Sequence, residues 1–406
     1  MQQASKPYHD IPLTRRGVVD ALLADLQEEE RPQFRALSDF LGAVLHYEFH
    51  DRLERLKQAY EPFDPDRETT DVELTCEEQA ARAERIEGGL VDILERGNYR
   101  RLGMAEIEYA LREQSLFPIK VQIDLEVYEQ LLVFARGESV RSATVKKWFG
   151  LRTRRIDVVT YDRICMYLRF KERDALAPTQ RKRLFCNPGI TLLKLFRNIP
   201  KADLEMLFPN TELKMRWLDR LLIGVPAVLG GVPVLLKLAP VLFALAIVVG
   251  LERGEVNLAS IVAGLSGLVG LGLFLFRQWD KFKSRKLLFL RTLSENLYFL
   301  NIDNNEGVIT RLVDEAEEEE HKEALLAYHF LRAEPGLDAA ELDERIERWL
   351  EEHCQARVDF QIDDALSELE RLELARRREE GGYEVVDLGE ALARLDKRWD
   401  AFFQYP

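Results

Sequence analysis

The sequence predicts an α+β membrane protein. A two-helix transmembrane hairpin lies between an N-terminal region of helices and a small β-sheet and a C-terminal winged-helix-like domain. Three observations lead there. Leu258 to Phe276 is nineteen residues without a charge, close to the ~20 that cross a bilayer as a helix. Leu221 to Gly250 runs thirty residues with one charge, Lys237. The periodicity outside this stretch changes from helical to β-rich near Phe117, and helices alternate with short strands after Glu318.

At 406 residues the chain has room for two or three domains. The expected division is 1–115, helical; 116–212, small mixed α/β; 213–286, hairpin with basic flanks; and 287–406, helical and winged-helix-like. The net charge of −14 argues against general affinity for nucleic acid, and no nucleic-acid partner is expected. Cys76, Cys165, Cys186 and Cys354 are far apart, so neither a zinc site nor a disulfide framework is indicated. Met1 to Asp10 lacks the apolar core of a secretory signal, which leaves membrane targeting to the hairpin.

Taken in order, Val18, Leu22, Leu23 and Leu26 have helical spacing. Pro32 can start a longer helix striped by Phe34, Leu37, Leu41, Leu45, Phe49, Leu53 and Leu56, ending near Tyr60 before Pro62. On that helix His46, His50 and Glu54 fall four residues apart on one face, a spacing that can present metal ligands. The zinc-protease pattern would need Glu directly after the first His, where Tyr47 stands, so histidines packed at a helix interface are the simpler expectation. Glu77 to Arg96 and Met104 to Gln114 read as amphipathic helices.

From Phe117 onward, short runs predict a small antiparallel sheet: 119–123, 128–135, 156–160, 163–170 and 190–196. Among them Arg141, Lys146, Lys147, Arg152, Arg154 and Arg155 occur with no acid from Ser139 to Ile156. Such cations suit an anionic surface or a solvated face.

Orientation of the hairpin follows from Lys214, Arg216 and Arg220 before it and Arg277, Lys281, Lys283, Arg285 and Lys286 after it. Both termini are expected in the cytoplasm, with the protein in a bacterial inner membrane and the bilayer as a partner. Lys237 costs ~3 kcal/mol in mid-span, against ~7 kcal/mol returned by eighteen Leu, Ile, Val and Phe. Pro226, Gly230, Pro233, Lys237 and Pro240 share a face that should meet protein or water. Ser260, Ala263, Gly264, Gly267 and Gly270 form a small-residue face suited to close span packing.

Past the hairpin, Asn301 to Gly307 signals a turn, and the acids of Asp314 to Glu320 read as a charged helix start. Glu317 and His321 stand four apart, but that setting needs no metal. Helices to Leu331 and over 338–352, a strand at 356–360, a helix over 362–372, strands 374–378 and 383–387 and a last helix suggest a winged helix. Its third helix has a net charge of −4 and repels phosphate, which favours a protein partner.

The strings HYEFHDRLERLKQAYEPFDPD (46–66), LFRNIPKADLEMLFP (195–209) and LYFLNIDNNEGVITRLVDEAEEEEHKEALLAYHFL (297–331) resemble a family of uncharacterised two-span membrane proteins of bacteria and organelles. Its animal member is mitochondrial transmembrane protein 143. The resemblance runs from about Ile11 and implies two spans with large soluble parts. It implies no activity, cofactor or catalytic residue.

With no phosphate loop, nucleophile elbow or well-spaced metal cluster, the expected function is a non-enzymatic, membrane-anchored interaction or oligomeric scaffold, assembling through its C-terminal domain. The alternative is an oligomeric channel with Lys237 facing the path.

Overall fold

Helix α1 (Arg15–Asp25) starts at Thr14, whose side chain accepts from the Gly17 N–H at 3.1 Å. Helix α2 (Arg31–Tyr60) follows with Pro32 in its first turn. The predicted stripe is its inner face: Phe34, Leu37, Leu41, Leu45, Phe49 and Leu56 are all buried. Each such side chain removed from water is worth ~2 kcal/mol. Helix α3 (Cys76–Arg96) begins with a capping box between Thr75 and Glu78.

The structure is a computed structural model. It describes residues 8–67, 74–112, 120–147, 152–181, 189–209, 212–214, 297–379 and 381–403, with scattered positions between 262 and 287. By its contacts the chain divides into two units: Met1–Ala110, Leu125–Leu204 and Leu300–Pro406, and Leu111–Asp124 with Glu205–Phe299.

The first unit contains a five-stranded antiparallel sheet. Its strands are β1 (Arg100–Arg101), β3 (Tyr128–Lys147), β4 (Arg152–Phe170), β5 (Thr191–Pro200) and β7 (Asn301–Asn304), in the order β1-β3-β4-β5-β7. Leu132, Tyr167 and Leu193 are register partners, as are Phe134, Cys165 and Leu195. All six belong to the core, as the period of two along each strand requires. In the second unit, β2 (Lys120–Gln122) pairs with β6 (Glu212–Lys214), and described positions such as Val262, Val269, Phe276 and Trp279 are helical and exposed.

Helix α6 (Glu306–Ala333) is the axis of the first unit; two short helices, α4 (Met104–Arg112) and α5 (Pro178–Arg181), precede it. Asn305, at φ 51°, turns the chain from β7 into α6. Its N–H donates to Leu193 O at 2.7 Å, and its Oδ1 accepts from Leu193 N and the Tyr60 hydroxyl. That one residue ties the end of α2, the sheet and the start of α6. Helices α7 (Ala339–Cys354), α8 (Ile362–Arg371) and α9 (Leu388–Phe402) follow, with the hairpin β8 (Ala375–Arg377) and β9 (Tyr383–Val385) before α9.

Several expectations are corrected. The fold is mixed helix and antiparallel sheet, and among the described residues no helix is long and apolar enough to cross a membrane. The predicted membrane fold, transmembrane helices and inner-membrane placement are overturned by that finding. The longest described helices, α2 and α6, have 30 and 28 residues, but charges recur along both. The stretch Leu221–Gly250, the link after it and most of Leu258–Phe276 lie outside the described residues.

A winged helix is not supported either. Residues 356–360 form no strand; Val358 makes an isolated parallel bridge to Tyr8, which leaves β8 and β9 as a two-stranded ribbon. The C-terminal helices share one apolar core cluster with α1 and α2, so their apolar faces are spent inside the larger unit. Asn301–Asn304 is a strand rather than a turn, and α6 begins twelve residues before the helix start expected at Glu318.

Candidate functional site in helix α6

The run Glu315 to Glu323 of α6 reads as a solvated stretch, but it lies mid-helix with Glu319, Glu320, His321, Lys322 and Glu323 between 1% and 6% exposed. Five consecutive polar side chains can be buried only if each finds a partner. The surrounding elements supply them one by one.

Glu315 accepts from the Tyr99 hydroxyl at 2.8 Å and pairs with Arg136 at 3.0 Å and Arg311 at 3.0 Å. Burial pushes its carboxyl up, yet Arg136, Tyr99, Arg163 and Arg311 together hold it below the ordinary range. Arg136 is itself buried, stacks 4.9 Å from the Tyr99 ring and donates to Gly97 O. Lys322 donates to Ile11 O at 3.0 Å, Leu13 O at 3.2 Å and Glu319 at 2.7 Å, while Glu319 accepts from Ile11 N at 3.1 Å. This pair fastens the segment before α1 to α6. Burial still leaves the Glu319 carboxyl raised.

Glu320 and Glu323 face α3 and α8. Glu320 pairs with Arg96, but burial and then the Glu368 charge of α8 push its carboxyl up to about 7. Its Oε2 has no hydrogen-bond partner. Glu323 has one neutral donor, Asn98 Nδ2 at 2.8 Å, and burial raises its carboxyl well above the usual range. Both are built to hold protons where an exposed glutamate has none. His321 is the converse: burial, then Arg15, lowers it to about 3, so it is neutral, with Nε2–H donated to Ser38 O at 2.9 Å and Nδ1 unpaired.

At the rim, Arg15, Arg35, Ser38, Asp39, His46 and Glu317 line an open cleft of about 610 Å³ between α1, α2 and α6. His46 Nδ1 lies 2.9 Å from Glu317 Oε2, and Arg15 Nη1 lies 3.6 Å from Glu317. The candidate trio His46, His50 and Glu54 does not converge on a metal. The His46 and His50 rings sit 6.4 Å apart, Glu54 is exposed, and no group of three or more His, Cys, Asp or Glu among the described residues is arranged to hold an ion. Glu317 and His321 also part company, the first serving His46 and the second Ser38. Lys237, Ser260, Ala263, Gly264 and Gly267 lie outside the described residues. Gly270 is helical, and a Cβ there would meet nothing within 4 Å.

Sequence reasoning missed the buried seam because charge signals solvent locally. The available signal was Ala324, Leu325, Leu326 and Ala327 continuing the same helix, apolar all round and fully buried.

A model of a family of proteins of unknown function, DUF3754, matches residues 161–307, from the middle of β4 to the first turn of α6. Its description carries no activity, substrate or partner. No solved structure matches the chain.

Proposed function

We propose that this chain is a non-enzymatic interaction protein that assembles with protein partners, a second copy of itself included. The observation that carries the reading is the length of β3 and β4. Beyond the last rungs shared with β5, the two strands continue for eight more pairs, Val140↔Val159 to Lys147↔Arg152. Among the described residues no third strand joins them there. At the base of this ribbon Val140 and Val159 are 48% and 36% exposed. A two-stranded ribbon is marginal in water by itself. Where a strand pair continues past the rungs it shares with its sheet, its open edges can pair with a partner strand.

The pairing α6 makes with its neighbours supports a frame role for the helical body, since Glu315, Glu319 and Lys322 find their partners within the chain. The test removes the ribbon and keeps the sheet. Replacing Ser142–Asp157 with Asn-Gly joins Arg141 to Val158, which are register partners, through a turn suited to hairpins. The full-length variant should melt with the wild type but sediment as a smaller species. An unchanged mass at equal concentration would refute the reading.

A further inference from the structure

The open cleft between α1, α2 and α6 is short of hydrogen-bond acceptors. Arg15, Arg16 and Arg35 line it with Asp20, Asp39 and Glu317, three cations against three carboxylates. Two of those carboxylates are engaged: Asp20 lies 3.7 Å from Arg35 Nη2, and Glu317 Oε2 lies 2.9 Å from His46 Nδ1. The Arg15 guanidinium has no such partner. Its Nη1 comes only to 3.6 Å from Glu317 Oε1, beyond hydrogen-bond reach, and its Nε and Nη2 are buried with no hydrogen-bond partner. Nε and Nη2 form one edge of the planar guanidinium, an edge that can hold both oxygens of a carboxylate at once. A buried donor without an acceptor is costly, so the cleft holds an arginine that gains by meeting one.

Gly42 on α2 is what admits Arg15 to this place. A Cβ at position 42 would come 2.8 Å from Arg15 Nη2 and 3.1 Å from its Cζ, so the guanidinium rests where a larger residue would displace it. The contact supplies packing and no hydrogen bond. Swinging the guanidinium off Gly42 into the cleft therefore forfeits no hydrogen bond at Nε or Nη2, and the side chain, 38% exposed, has room to move. The acceptor that fits is a carboxylate. Its planar pair of oxygens matches the fork, and a cleft whose own charges balance accommodates a single negative charge more readily than a doubly charged phosphate. At about 610 Å³ the space takes a small organic acid and is far larger than a lone ion needs.

We propose that this cleft binds a small monocarboxylate, with the Arg15 guanidinium swinging off Gly42 to hold both carboxylate oxygens. Glu317 does not compete for those donors: its Oε2 is held by His46, and at 3.6 Å its Oε1 attracts Arg15 without bonding to it. The site is independent of assembly through β3 and β4 and stands whether or not the chain associates.

The test is calorimetric titration of the full chain with acetate and benzoate, with benzamide as a neutral analogue and inorganic phosphate as the alternative oxyanion. Wild type should bind benzoate with a Kd of ~1 mM, and benzamide about tenfold more weakly or worse. Arg15→Gln removes the fork and should weaken benzoate by about tenfold or more. Gly42→Ala should act in the opposite sense: its Cβ turns the guanidinium into the cleft in advance, and benzoate should bind severalfold more tightly. General damage to the fold would weaken binding in both variants, so the gain in Gly42→Ala is the mark of the Arg15 swing, and it decides the matter even if Arg15→Gln fails to fold. The proposal is overturned by any of four results: no binding of acetate or benzoate up to ~20 mM, equal binding of benzoate and benzamide, tighter binding of phosphate than of benzoate, or a Gly42→Ala protein that binds benzoate no better than wild type.

Discussion

Substituting Glu320 by Gln isolates one buried proton. The carboxyl is 6% exposed, pairs with Arg96 and faces Glu368, and its ordinary value of 4.5 is raised to about 7 by burial first and that second carboxylate next. The unfolded chain releases this proton near pH 4.5, whereas the folded chain keeps it to about 7. Between those limits the folded state binds more protons, so the stability that Glu320 contributes is present at pH 4 and is lost as pH rises through 7. A tenfold change in proton affinity is ~1.4 kcal/mol, so the loss is ~3 kcal/mol. His321 acts in the opposite sense: lowered from 6.5 to about 3, it costs stability as pH falls through that range. The comparison must therefore be made between wild type and Glu320→Gln rather than along one curve. Guanidinium unfolding of both proteins, at intervals from pH 4 to pH 8, should show the variant gaining ~3 kcal/mol on the wild type across that range. Parallel curves, agreeing within ~1 kcal/mol, would refute the reasoning that burial and Glu368 outweigh Arg96.

Two further outcomes follow from the packing. Lys322→Met leaves Glu319 without its cation and Ile11 O and Leu13 O without a donor, and should cost ~3–5 kcal/mol. Adding Glu319→Gln should return a good part of that, measurable as a double-mutant cycle in guanidinium. Gly382 stands at φ +74°, where a Cβ would come 2.1 Å from Gly336 O, so Gly382→Ala should lower the melting temperature markedly; Gly42→Ala, whose Cβ meets only the mobile end of Arg15, should change it little.

Much of the helical frame was legible in residues. Phe34 to Leu56 at spacings of three and four mark the buried face of α2, and Pro32 and Pro62 mark its limits to within a residue or two. Thr75 with Glu78, and Asp338 with Glu341, announce α3 and α7, because a capping box is a local hydrogen-bond exchange that needs no tertiary partner. Gly381 and Gly382, both at positive φ, place the turn between β8 and β9. The basic stretch from Arg141 to Arg155 was not legible as strand. Its charges mask the alternation, and its pairing is set by the hairpin register begun at Gln130↔Arg169.

Hydropathy, a one-dimensional sum blind to tertiary surroundings, led to a membrane fold, whereas among the described residues no helix is long and apolar enough to cross a membrane. The charged seam shows the same blindness in reverse. What the sequence by itself determined is local: where helices start and stop, which face of α2 is apolar, where a turn needs glycine. Only the tertiary structure decided that Glu319, Glu320, His321, Lys322 and Glu323 are interior, because their partners Ile11, Ser38, Arg96 and Asn98 lie more than 220 residues away, apart from the Glu319–Lys322 contact within α6. Burial of a charge depends on a counter-group in space, and sequence distance carries no record of it.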